Sequence, residues 1–322
     1  MYREVMSKSK SLSDYEDISE AIKESYKFKP EKLIISELKW KYLVRSGLRG
    51  KNILLVGPTG SGKTLAAQSL VKSLGREDKY FYINMGATQD PRAALIGNTH
   101  FSKADGTFFD ESAFVKAIKT PNAVILLDEL SRGHPEAWNI LVPVLDELQR
   151  YLRLDEKQGS EIVRVAEGVS FIATANIGSD YTATRVMDRA LLDRFQVKIE
   201  MDTLTEEQEK ALLRMIYPSA EDALIDAIAG VTTDSRKMEK DDQLSKSIST
   251  RAAVEMAGMA VDGFSLLNIM EAVVYPDFDD SGGIDSERTL IKQAVQKYIV
   301  NVTASNPFGT RKVKADDDSP PY

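Results

Sequence analysis

The sequence holds no cysteine, which excludes disulfides, thiolate nucleophiles and cysteine-rich zinc sites at the outset. Its two histidines, His100 and His134, are too few for a histidine metal cluster unless subunits contribute jointly. No stretch approaches about 18 consecutive apolar residues, and Met1-Tyr2-Arg3-Glu4 leads into a polar segment without the apolar centre of a signal peptide. A cytoplasmic protein with no membrane partner is expected. Tryptophan occurs twice, and Trp40 and Trp138 stand at apolar helical spacings, as packing residues do. Positive charge is also short: 42 Lys and Arg against 49 Asp and Glu leave a formal charge of -7, which gives no global footprint for nucleic acid. At 322 residues, 43% hydrophobic and 28% charged, the chain has room for a sizeable core, and two domains are expected.

The most informative segment is Asn52-Ile53-Leu54-Leu55-Val56 followed by Gly57-Pro58-Thr59-Gly60-Ser61-Gly62-Lys63-Thr64. It reads as a buried strand feeding a phosphate-binding loop of G-x-x-x-x-G-K-T spacing. Small residues let backbone N–H groups turn inward around phosphate oxygens, Lys63 brings a mobile charge to the β- and γ-phosphates, and the Thr64 hydroxyl serves Mg²⁺. The helix that continues through Leu65 to about Leu74 points its positive dipole end at the same anion. A nucleoside triphosphate with Mg²⁺ is the implied cofactor.

Four more short runs rich in β-branched, aliphatic or aromatic residues follow, at Lys79–Asn84, Ala123–Leu127, Val169–Thr174 and Gln196–Glu200, with helical segments between them. That alternation predicts an α/β fold with a five-stranded parallel sheet sandwiched by helices, over residues 31–202. Leu33, Ile34, Leu38, Tyr42 and Leu43 recur at helical spacing before the first strand. After Met201 the strands stop. Residues 205–216, 220–230, 249–261, 265–273 and 286–300 read as helices of a C-terminal α-helical lid domain, 203–302. Residues 1–30 are expected to be a loosely held helix or mobile arm, and 303–322 a disordered tail.

Val124-Ile125-Leu126-Leu127 runs into Asp128-Glu129, an apolar strand ending in two acids. In a parallel sheet that end lies beside the phosphate loop, where Asp128 would hold Mg²⁺ through its water shell and Glu129 would polarise the attacking water. Asn176, after the next strand, can position the same water. Asp277-Phe278-Asp279-Asp280-Ser281-Gly282 imitates a calcium loop, but Arg288 stands where a bidentate Glu is required, so an acidic turn between lid helices is read there.

Phosphate loop, Asp-Glu strand, Asn176, the Asp193-Arg194-Phe195 ending and Ser249-Thr250-Arg251 occur in the order found in AAA+ ATPases. Between Ile96 and Phe195 the chain resembles the MoxR-type group, which includes the NorQ-like activators and the AAA+ subunit of cobaltochelatase. The resemblance rests on Leu95-Ile96-Gly97-Asn98-Thr99-His100, Gly106-Thr107-Phe108-Phe109, Asp128 to Pro135 and Ala190 to Phe195. It implies an ATP-hydrolysing, ring-forming homo-oligomer, in all expectation a hexamer, that remodels a protein client or drives metal or cofactor insertion. The client in that group is often a von Willebrand factor A-domain protein. Asn176 would be the sensor amide, Arg194 the arginine finger acting on a neighbouring subunit, and Arg251 the lid arginine touching its own subunit's nucleotide. Arg189 competes with Arg194 for the finger, and Arg185 and Arg132 are further candidates for intersubunit contacts.

Two hairpin insertions, Gly97–Asp110 and Arg150–Val165, match positions that face the central pore in the MoxR-type group. Phe108 and Phe109 either grip a client or pack on the core. Arg150, Arg153 and Arg164 leave open a nucleic-acid-translocating motor, set against Asp155, Glu156 and Glu161 in the same hairpin. A slow-turnover, ATP-gated scaffold is the third alternative.

Overall fold

A computed structural model of the chain describes residues 11–102, 106–157, 159–176 and 187–305. Two compact units result, Met1–Thr203 and Leu204–Tyr322. In the first, the described strands are β1 (Ile53–Val56), β2 (Tyr80–Asn84), β3 (Gly97–Ser102), β4 (Gly106–Glu111), β5 (Val124–Asp128), β6 (Tyr151–Leu154), β7 (Glu161–Arg164), β8 (Ser170–Ala175) and β9 (Val197–Glu200). Five of them form one sheet in the order β2-β5-β8-β1-β9, every pairing parallel.

The sheet forms because its central strands are apolar on both faces. Every residue of β5 and β8 is buried, so a continuous aliphatic run, and not an alternating one, marks a central parallel strand. Successive side chains still part to opposite faces. Leu54, Ile125, Leu127 and Phe171 pack with Phe114 of the helix Ala113–Ile118 and Leu141 of the helix Pro135–Leu145. Ile53, Leu55, Leu126 and Ile172 pack with Trp40 of the helix Glu37–Leu48 and Leu70 of the helix Lys63–Leu74. Both tryptophans are packing residues with a satisfied N–H: Trp40 Nε1 donates to Ser25 O at 2.8 Å and Trp138 Nε1 to Leu130 O at 3.0 Å.

Three expectations change. The helix ahead of β1 begins at Glu37, capped by Ser36, and buries Trp40, Leu43 and Val44, whereas Leu38 and Tyr42 face out. Leu33 is buried from the preceding loop, so part of the helical spacing was coincidental. The described part of the N-terminal segment is not a loose arm. Short helices at Leu12–Asp14, Ile18–Glu24 and Ser25–Phe28 bury Leu12 and Ala21, and Ser13 Oγ donates to Leu74 O at 2.8 Å while Ser73 Oγ donates to Phe28 O at 2.8 Å. A few well-placed apolar residues anchor a polar stretch when each finds a niche. At the other end, residues 303–305 close the last helix rather than opening a tail, and the rest of 306–322 lies outside the described residues.

Both insertions are two-stranded antiparallel hairpins. β3 and β4 lie between the helices Pro91–Leu95 and Ala113–Ile118, with Thr99 opposite Phe109 and His100 opposite Phe108. Period-two alternation separates the two phenylalanines: Phe109 packs against the core, while Phe108 is exposed beside His100, ring centroids 5.8 Å apart. β6 and β7 pair Tyr151 with Arg164.

The second unit is helical throughout its described residues: Glu206–Ile216, Asp222–Lys240, Thr250–Val261, Leu266–Ile269 with a π turn at Met270–Val274, and Glu287–Ser305. Its core includes Leu213, Ile228, Met256, Ile269 and Ile291. The second helix, expected over 220–230, runs from Asp222 to Lys240 with Gly230 inside it. That glycine serves packing, because a Cβ there would stand 2.4 Å from the Tyr298 ring. In the acidic turn, Arg288 Nε donates to Phe278 O at 3.1 Å and Nη1 to Asp280 at 3.3 Å, so the arginine itself closes the loop.

Leu12→Ala should lower unfolding stability by about 2–4 kcal/mol, as a buried leucine requires. Urea denaturation checks this; an unchanged midpoint would mean that the N-terminal segment is loose after all.

Candidate nucleotide site

The loop Gly57–Thr64 leaves β1 at its carboxyl end and closes on the helix Lys63–Leu74. Its shape requires glycine. Gly57 has φ +152°, and a Cβ there would lie 2.1 Å from Met201 O; Gly60 and Gly62 have φ +79° and +86°. The first helical bond runs from Ala66 N–H to Gly62 O, so the N–H groups of Lys63, Thr64 and Leu65 precede the hydrogen-bonded turns, as an anion site needs. The Leu65 side chain itself is exposed.

Two features fit this cradle to a phosphate. Ser61 Oγ is buried without a hydrogen-bond partner. Lys63 Nζ, buried, donates to the loop's own carbonyls, Gly57 O at 2.8 Å and Pro58 O at 2.7 Å. Burial pulls its ammonium down to about 8 from an ordinary 10.5, against the opposing pull of Asp128 and Glu129.

Asp128, at the end of β5, is 8% exposed and surrounded by hydroxyls. Thr64 Oγ1 donates to its Oδ1 at 3.2 Å, Tyr82 OH to its Oδ2 at 3.0 Å, and Thr174 Oγ1 to its Oδ1. Desolvation first, then the bond to Asp128, push the Tyr82 phenol up to about 12, so it remains a donor across the physiological range. Among the described residues no group of three or more His, Asp or Glu could hold a metal ion alone. Asp128 and Thr64 together suit a hard, oxygen-liganded cation whose remaining ligands are phosphate and water oxygens.

Glu129 follows in the left-handed region, φ +55°, at a cost of roughly 1 kcal/mol. Its N–H donates to Thr174 Oγ1 at 2.9 Å, and Arg132 Nη1 lies 3.2 Å from its Oε1. Gly86 leaves the space for that carboxylate, since a Cβ there would stand 2.6 Å from Glu129 Oε2. Asn176 Nδ2 donates to Thr59 Oγ1 at 3.4 Å, and its N–H to Ser131 Oγ at 3.3 Å. Lys63, Thr64, Asp128, Glu129 and Asn176 thus gather at the carboxyl edge of one sheet.

A family model for the AAA domain, dynein-related subfamily, matches residues 52–195. An uncharacterised protein of Staphylococcus saprophyticus is 31% identical over 214 residues, 65% of this chain and 78% of the relative. The protein named "Putative chaperone BssE" of Thauera aromatica is 31% identical over 229 residues, 70% of this chain and 75% of the relative. The chain belongs to the dynein-related AAA family. AAA domains bind ATP, typically with Mg²⁺, and are in general nucleotide-hydrolysing ATPases.

The arginines of this AAA domain are placed very differently from the loop. Arg194 lies at the opposite, amino edge of the sheet: Asn52 Nδ2, just before β1, donates to Arg194 O at 2.8 Å, and Arg194 Nη2 pairs with Asp146 at 3.1 Å. The four residues of β1, ~13 Å of strand, separate it from its own phosphate loop. Arg189 is exposed at the start of the helix Arg189–Leu192, and Arg185 lies outside the described residues. Arg251 is exposed in the first turn of Thr250–Val261, in the second unit. Arg150 is taken up internally, donating to Val169 O at 2.8 Å and lying over the Phe171 ring, while Arg153 pairs with Asp155 and Arg164 donates to Gln149 O. No helix among the described residues is long and apolar enough to cross a membrane.

Sequence reasoning missed Tyr82, Thr174, Gly86 and Asp146. Only Thr174 carried a signal, a lone hydroxyl in an otherwise apolar strand end beside Asn176.

Because Lys63 is half deprotonated near pH 8 and a triphosphate favours its charged form, ATP binding should take up about half a proton at that pH. The uptake should fall away toward pH 7 and grow toward pH 8.5. Calorimetry in buffers of different ionisation enthalpy reads it, and a binding heat independent of buffer at pH 8 would contradict the depressed ammonium.

Proposed function

We propose that the chain is a Mg²⁺-dependent ATPase subunit of a ring, a homo-oligomer of hexameric type, that remodels a protein client in the manner of MoxR-type factors. The observation that carries this reading is the separation of Arg194 from the phosphate loop across the sheet of one subunit. A finger so placed serves only a neighbour's nucleotide, so the loop is half of a composite site. Bound Mg²⁺ would neutralise phosphate charge beside Asp128 and Thr64. Glu129 would accept a proton from the attacking water, Asn176 would orient that water, and Lys63 would leave the loop carbonyls for the phosphates. Arg194 of the next subunit would offset charge on the transferred phosphoryl, a contribution of about 10³–10⁵ in rate. Arg251 would contact the nucleotide of its own subunit.

The client reading draws on the relative named as a putative chaperone and on the resemblance to the MoxR-type group, whose clients often carry a von Willebrand factor A domain. Internal engagement of Arg150, and the acidic residues Asp155 and Glu161 beside the exposed Arg153 and Arg164, count against a nucleic-acid motor. The pairing of a water-activating acid with a finger counts against a slow scaffold.

Glu129→Gln and Arg194→Ala should each abolish turnover while ATP still binds. Mixed in equal amounts, the two inactive variants should regain activity, since about a quarter of interfaces then join an intact Glu129 to an intact Arg194. No recovery in the mixture would remove the trans assignment, and loss of turnover from Arg189→Ala alone would move the finger.

A further inference from the structure

The strands on either side of β5 both reach its terminal acid. From β8, Thr174 Oγ1 donates to Asp128 Oδ1; from β2, Tyr82 OH donates to Oδ2 at 3.0 Å. Thr64 Oγ1 stands between the two oxygens, 3.2 Å from Oδ1 and 3.4 Å from Oδ2. The torsion that turns a carboxyl group about its own bond has only a broad preference, so partners decide the plane in which it rests. Oδ1 has the closer approach of both threonines, whereas Oδ2 has Tyr82 as its nearest donor.

Tyr82 suits this reach better than it suits packing. Asn84 is the register partner of Asp128, while Tyr82, two residues earlier on the same face of β2, stands opposite Leu126. Two residues of strand are roughly 7 Å, a span that needs a long side chain ending in a hydroxyl. Tyr82 is also the exposed member of β2, at 50%, between Phe81 and Ile83, which pack against the core. Its ring therefore contributes little to the core, and its hydroxyl is spent on a buried carboxyl group. A hard cation held through water depends on the direction of the carboxyl lone pairs, and partners that orient such a ligand count in metal affinity nearly as the ligand does.

We propose that Tyr82 is a positioning residue that fixes the carboxyl plane of Asp128, so that the site prefers the Mg²⁺ complex of a nucleotide over the bare nucleotide. The proposal rests on the reading of Asp128 as the residue that holds Mg²⁺ through its water shell. Tyr82→Phe removes the hydroxyl and keeps the ring. Calorimetry on the full-length protein with a non-hydrolysable ATP analogue, once in EDTA and once in excess Mg²⁺, separates the metal's contribution from that of the phosphate cradle. In EDTA the variant should bind as the parent does, which also reports an intact fold. In Mg²⁺ it should bind about 3–10-fold more weakly, the loss expected for one hydrogen bond to a carboxyl group. Equal losses in the two conditions, or no loss in either, would overturn the positioning role. Asp128→Ala should lose more of the Mg²⁺-dependent gain, and Tyr82→Phe should add nothing in that background. Additive losses would mean that Tyr82 does not act through Asp128 and would overturn the positioning role alone. An Asp128→Ala variant that gains as much affinity from Mg²⁺ as the parent would overturn the reading of Asp128 and the proposal with it.

Discussion

A single carboxylate at the end of a fully buried strand sets the terms for the first unit. Asp128, 8% exposed, accepts hydrogen bonds from three hydroxyls, from the phosphate-loop helix, from β2 and from β8. Each hydroxyl belongs to a separate element, so satisfying this buried carboxyl group also fixes β2, β5, β8 and the loop against one another. The same Thr174 oxygen that serves Asp128 receives the Glu129 N–H, which links the candidate metal ligand to the backbone of the acid beside it. A parallel sheet makes this convergence available, since all its strands end on one edge.

The chain turns sharply to use that edge. Glu129 leaves β5 in the left-handed region, a conformation costly for a residue with a side chain, and its carboxylate lies in the space that Gly86 leaves open. Lys63 is held in the opposite condition. Folded onto loop carbonyls and short of solvent, it is a weakened ammonium that a phosphate would restore. The carboxyl edge thus carries groups at a cost that an anion and a hard cation would relieve, while the amino edge of the sheet carries Arg194, anchored by Asp146 and out of reach of its own loop.

Much of this was legible in the chain. The five sheet strands lie within about a residue of the runs read from the sequence, most plainly β5 and β8, because a strand buried on both faces needs unbroken apolar sequence. The loop was legible because few residue types tolerate φ values like those of Gly57, Gly60 and Gly62. Legibility failed where a residue's role depends on something distant in sequence. The helix read over 220–230 runs on to Lys240, with Gly230 inside it as clearance for Tyr298; Leu33 reads as helical and is a loop residue; the polar N-terminal segment reads as loose and is seated by Leu12 and Ala21.

By itself, then, the sequence determined the class of fold and the identity of the phosphate loop, the paired acids and Asn176, since spacing along the chain is enough to place groups on adjacent strand ends. Only the tertiary structure decided which groups serve them. Tyr82 and Thr174, from the strands on either side of β5, and Gly86, from the turn after β2, converge on the acids, Asp146 claims Arg194, and Arg236 reaches Leu204, Glu209 and Thr250 at once. A hydrogen bond or a clearance of an ångström is set by packing across strands and helices, and no local pattern of residues encodes it.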